Sequence, residues 1–143
     1  MENCIVFDFP FTSHFMKKTV HHRTGTITLE DNIYWFVIRE GIEMELKDAQ
    51  ELVKIGTELT AGLRVGALVD SRATYTDTNE AREYFASETA NKQFIAVAMV
   101  TTTLAMRLIG NYYIQSNKPN TPTKLFDNEK DAVKWLREML DKK

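Results

Sequence analysis

Residues 94–100 read FIAVAMV, seven positions without a polar side chain. A strand with one wet face alternates apolar and polar residues, so a strand apolar throughout has to be covered on both faces. That requirement places it inside a parallel or mixed sheet with helices on either side. The surrounding sequence supplies the helices. Ala49, Leu52, Val53, Gly56 and Leu59 recur at helical spacing, which predicts an amphipathic helix closing near Gly62. VGALVD, residues 65–70, is a second apolar run of strand length. Ala81, Tyr84 and Phe85 give the next helix an apolar stripe, with Asp77 or Thr78 as its cap and Asp77–Glu80 spaced as a capping box. The triplet Thr101, Thr102 and Thr103 opens a third helix through TLAMRLIGNYYIQ, and Pro119 and Pro122 bar its continuation. TKLF, residues 123–126, is a short strand, and Asp127–Asn128 precede a last helix with Ala132, Trp135, Leu136, Met139 and Leu140 on one face.

The first 45 residues follow a different pattern. Thr24 to Leu29 and Tyr34 to Arg39 are strand-like runs around Asp31–Asn32, which predicts a tight hairpin, and Gly41 turns the chain toward the first helix. Before them, residues 1–20 form an aromatic arm in which Phe7, Phe9 and Phe11 share one side of an extended chain. The arm could be an edge strand, an oligomer contact or a mobile tail. The expected fold is therefore a single α/β domain over residues 21–143: a mixed sheet of about five strands, an antiparallel hairpin at one side, and about four helices. A chain of 143 residues has length for one such domain.

Charge and composition remove several classes of function. Eighteen basic against twenty acidic residues leave a net charge of −2, without the cationic surplus that neutralises nucleic-acid phosphates. One cysteine, Cys4, forms neither an internal disulfide nor a multi-cysteine metal site. Glu2, Asp8 and Pro10 interrupt what a secretory leader would need, and Arg107 and the threonine triplet interrupt the apolar stretch 94–110. The expectation is a cytoplasmic protein without a transmembrane segment.

Several local motifs resemble the STAS fold, specifically its SpoIIAA-like branch. Gly41 with ELKDAQEL is similar to that family's turn and first helix. ALVDSR is similar to its strand ending in Asp and Arg. NEAR at 79–82 and the stretch RLIGNYYIQSNKPNTPTKLFDNEKDAVKWLREML resemble its closing half, with a paired-proline loop and a tryptophan in the final helix. The likeness spans roughly residues 24–141 and implies two functions. Sporulation-type members are regulators switched by phosphorylation of a serine where the helix after the ALVD-like strand begins. Here that region is SRATYTDTNEAREY, without the Asp-Ser-Ser-Gly-like context, so only the location carries over. Other SpoIIAA-like bacterial proteins resemble CRAL-TRIO lipid carriers, which implies an apolar ligand or peripheral membrane association.

Three regions are candidate sites. Asp70, Ser71 and Arg72 end a parallel strand, where open α/β sheets place ligands, and Thr76 and Thr78 lie where a phosphate would meet a helix N-terminus. Capping by Asp77 or Thr78 and an Asp70–Arg72 pair account for the same residues structurally. One residue of the threonine triplet is needed as an N-cap, although the group could also hold an anion. The third helix is apolar nearly all round, which predicts burial on more than one side, by core and a dimer contact or by an apolar ligand beside Leu104, Leu108 and Tyr112. His21 and His22 point to opposite faces of a strand and, with His14, lack carboxylates at ligand spacing, so no metal is expected. Cys4 has no identifiable base, and no cofactor or catalytic motif is present. The chain reads as a non-enzymatic module for a protein partner or an apolar ligand, and as a possible homodimer.

Overall fold

The computed structural model describes residues 4–8 and 17–142. The side chains of Cys4 and Phe7, and Phe9, Phe11 and His14 altogether, lie outside the described residues. Seven strands form one mixed sheet in the order β1-β2-β3-β4-β6-β8-β9. They are β1 (Cys4–Asp8), β2 (Lys17–His22), β3 (Gly25–Glu30), β4 (Ile33–Ile38), β6 (Val65–Asp70), β8 (Phe94–Val100) and β9 (Thr123–Phe126). β5 (Glu43–Met44) and β7 (Thr76–Asp77) pair as a separate parallel ribbon. The helices are α1 (Leu46–Thr60), α2 (Asn79–Ala86), α3 (Glu88–Asn91), α4 (Leu104–Tyr112) and α5 (Glu129–Asp141), with a π-helical turn at Tyr113–Asn117 after α4.

β1 to β4 are antiparallel neighbours, whereas β4, β6, β8 and β9 run parallel. The β3–β4 turn is Asp31–Asn32, both left-handed with φ of 53° and 64°, the conformation a two-residue hairpin of this hand requires. The mixed α/β architecture is thus the expected one, with more strands than the expected five. The added strands come from the N-terminal region, where pattern is weakest. β2 spans Lys17–His22 and so crosses the boundary at residue 20 expected between arm and domain. Gly41 does not lead directly into α1; the two residues of β5 intervene before the helix starts at Leu46.

Period-two alternation along the strands builds two cores on opposite faces of the sheet. On one face Val20, Ile27, Tyr34, Phe36, Ile38, Val65 and Ala67 pack with Ala49, Leu52, Ile55 and Leu59 of α1 and Ala81 of α2. On the other, Ile33, Leu68, Ala96, Ala98 and Val100 pack with Ala132 and Leu136 of α5. The apolar stretch 94–110 divides into β8 and α4, and no helix among the described residues is long and apolar enough to cross a membrane.

α4 is anchored by few residues. Met106 and Gly110 are buried, and a Cβ at Gly110 would lie 2.9 Å from Leu125 Cδ2, so the missing side chain is what lets the helix approach β9. Within the single chain α4 is covered on one side only. Leu104, Leu108 and Tyr112 are 72%, 60% and 61% exposed, along one stripe of the helix. Most of the helix stands off the sheet, so apolar composition alone did not report its burial.

Candidate functional site

Between the sheet and α1, α2 and the π-helical turn lies a cavity of about 120 Å³. Its floor is the alternate residues of three parallel strands: Tyr34 and Phe36, Ala67 and Val69, Val97 and Met99. Helical residues Leu52, Phe85 and Tyr113 close it, and Tyr75 and Asp77 border it from the β7 segment. The wall is apolar except for a few groups, the usual composition of a small-molecule site.

Tyr75, Asp77 and Tyr113 are the polar groups grouped at one side. Burial pushes the Tyr75 phenol up to about 12, assisted by the Asp77 charge and opposed by its hydrogen bond to Ser71, where Tyr75 Oη donates to Ser71 Oγ at 3.4 Å. Burial likewise raises Tyr113, with the Asp77 charge adding to it. Both phenols are therefore protonated at neutral pH and can donate hydrogen bonds. Asp77 is held from the outside: Arg82 Nη1 donates to its Oδ1 at 2.5 Å and to its backbone carbonyl at 2.8 Å.

The structure distributes the candidate residues from the sequence differently from each other. Asp70 pairs with Arg72, Nε donating at 2.9 Å and Nη2 at 2.6 Å, and Arg72 also lies 3.5 Å from Glu129 of α5. The guanidinium of Arg72 holds the Asp70 carboxyl below its ordinary range, against the effect of burial. Ser71 is buried, with its amide bonded to Val100. Thr78 is the N-cap of α2, its hydroxyl accepting from the Ala81 amide at 3.1 Å. The Asp77–Glu80 capping box does not form, because Asp77 sits in β7 and bonds Arg82 instead. Thr76 is exposed, yet its amide is tied to Ile42 through the β5 ribbon. The segment 70–78 is pinned, and its Tyr75 and Asp77 wall the cavity, which the sequence could not announce because β5 and β7 have two residues each.

Thr103 caps α4, and Thr101 is buried with its hydroxyl unpaired among the described residues. Leu104, Leu108 and Tyr112, expected beside an apolar ligand, lie on the exposed side of α4 and do not line the cavity; their neighbour Tyr113 does. The π-helical turn begins at Tyr113 and changes the direction in which successive residues face, which a pattern of 3.6 residues per turn does not capture.

His21 and His22 do face opposite ways, His21 exposed and His22 buried. The sequence, however, gave no sign that α1 brings Asp48 and Glu51 to His22, with potential ligand atoms all within 4.8 Å of one another. These three could offer ligands to a cation, but each is engaged. His22 Nδ1 bonds Thr24 Oγ1 and Nε2 bonds Glu51, both at 2.8 Å, while Arg23 clamps Asp48. Asp48 also accepts from the Glu45 amide at 2.9 Å, completing the N-terminal box of α1. The cluster is a satisfied brace between β2 and α1.

The mixed sheet and its helices form a SpoIIAA-like fold. A similar solved structure is an uncharacterised protein from the DUF3478 family with a SpoIIAA-like fold, from Shewanella loihica PV-4. It aligns with a TM-score of 0.52 and 13% identity over 95% of this chain and 96% of that one. Residues 27–140 match the family described as a domain of unknown function, DUF7793, and the chain belongs to that family. No curated protein matches it.

Proposed function

We propose that this chain is a non-enzymatic regulatory module that takes a small apolar molecule into the cavity and presents the result to a protein partner through residues 70–78. One observation carries this reading. Tyr75 and Asp77 border the cavity while Thr76, between them, is exposed. A bound molecule would touch one side of the segment and a partner the other. The ionisable groups there support binding over catalysis, since Asp77 is committed to Arg82, Asp70 to Arg72, and both phenols stay protonated. Titrating the purified chain with toluene while following backbone amides by NMR tests the coupling. The expected result is movement of Tyr75, Thr76 and Asp77 together with cavity residues Met44 and Met99. Toluene bound without any shift at 75–77 removes the coupling, and no binding removes the cavity as a site.

The exposed stripe of Leu104, Leu108 and Tyr112 supports a second reading, in which α4 is the contact of a homodimer. Sedimentation of the wild type across a concentration series checks it; a monomer at all concentrations removes it.

A further inference from the structure

We propose that the cavity's ligand is an uncharged molecule of a single ring carrying a hydroxyl or N–H group, held at its polar end by Tyr75, Asp77 and Tyr113. This rests on the cavity being a binding site and goes on to its chemical class. Size decides the first part. A cavity of about 120 Å³ is slightly smaller than the cavity of about 150 Å³ that holds benzene in an engineered protein interior. It is well below the roughly 300–1,000 Å³ of sites for larger ligands, so the acyl chain of a lipid has no room. The wall favours a ring over a branched chain, because Tyr34, Phe36, Phe85 and Phe94 offer flat faces and edges.

Charge decides the second part. The phenol of Tyr113 is a donor, Tyr75 gives its proton to Ser71 and offers lone pairs, and Asp77 is an acceptor whose carboxylate keeps lone pairs beyond the one Arg82 uses. A hydroxyl can both accept from a phenol and donate to Asp77. A carboxylate ligand would set a second negative charge beside Asp77 inside an apolar wall, at high desolvation cost. A cation would leave water for a carboxylate already neutralised by Arg82, and would gain little.

The test titrates the full chain with phenol, toluene, benzoate and decanoate by calorimetry, with the Met44 and Met99 methyl signals locating the site. Phenol is expected to bind there, with benzoate and decanoate at least about tenfold weaker, the ratio that 1.4 kcal/mol produces. Tyr113→Phe and Asp77→Asn are each expected to weaken phenol several-fold and leave toluene within about twofold. Asp77 also anchors Arg82, so Tyr113→Phe, which removes one hydroxyl, decides the matter if Asp77→Asn does not fold. Benzoate or decanoate binding as tightly as phenol overturns the inference, as does an equal response of phenol and toluene to Tyr113→Phe. In those outcomes the cavity remains a site. If none of the four compounds binds, the cavity reading and this inference fall together.

Discussion

One sheet presents two unlike faces made from alternate residues of the same strands. Toward α5 it shows Ile33, Leu68 and Val100 interleaved with Gly66, Ala96 and Ala98, and the three small residues let a helix come close. The approach is close enough that a Cβ at Gly66 would lie 3.3 Å from Leu136 Cδ2. Toward α1 and α2 it shows Tyr34, Phe36, Val69, Val97 and Met99, and these longer side chains enclose the cavity. Small side chains permit interdigitation at crystal-like density, whereas rigid rings meeting from several elements leave space between them. The dry, filled face fixes the domain; the ringed face has room for a guest.

The largest effect should come from the filled face. Leu136→Ala is expected to cost about 2–5 kcal/mol by urea denaturation, because a fully buried side chain is lost where nothing can relax into the gap. Met99→Ala, at the half-buried cavity wall, should cost less than half as much. Equal losses would break the contrast between the faces. A mirrored pair sharpens it. Ala98→Val adds bulk to the α5 face and should cost about 1–3 kcal/mol, whereas Ala67→Val adds the same bulk to the cavity and should change stability by less than about 0.5 kcal/mol. A large loss for Ala67→Val would mean that the cavity cannot take even two methyl groups.

Acid should act next, on the α1 side. Burial opposes ionisation of Asp48, but the Arg23 guanidinium and the Glu45 amide outweigh it and hold the carboxyl below its ordinary 3.8. A carboxyl depressed in the folded state contributes stability that is complete above the unfolded value and is lost as pH falls through the folded one. Wild type should therefore lose roughly 1–2 kcal/mol below about pH 4 that Asp48→Asn, already weaker at pH 7, does not lose again. Asp70, depressed beside Arg72, carries the same sign in both proteins, so it cancels in the difference. Parallel curves for the two proteins would remove Asp48 from the account.

Smaller still, Thr78→Ala should cost about 1 kcal/mol through loss of the α2 cap, and Thr78→Ser should restore it. The smallest effect is expected at Leu108→Ser, within about 0.5 kcal/mol at low protein concentration. A loss that appears only as concentration rises would place α4 in a homodimer contact.

Much of the frame could be read from particular residues. FIAVAMV and VGALVD are buried parallel strands because a run of apolar residues has no wet face to offer, and Asp31–Asn32 turns the hairpin because those residues tolerate left-handed backbone. Thr78, Thr103 and Asn128 cap helices that the apolar spacing located. The site was far less legible. Strand-end logic points to Asp70, Ser71 and Arg72 and the helix N-terminus to Thr76 and Thr78, but Tyr75, Asp77 and Tyr113 border the cavity itself. No spacing relates Tyr113 to Tyr75, or His22 to Asp48 and Glu51.

Local rules determined the elements of this protein: periodicity fixes which faces are apolar, and caps and turns fix where helices and hairpins begin. The tertiary structure alone decided which apolar residues are covered. α4 is among the most apolar helices of the chain and the most exposed, because it meets the sheet through Met106 and Gly110 only. The cavity too belongs to no single segment, since space left between side chains depends on how several strands and helices meet, and burial is a property of neighbours rather than of residues.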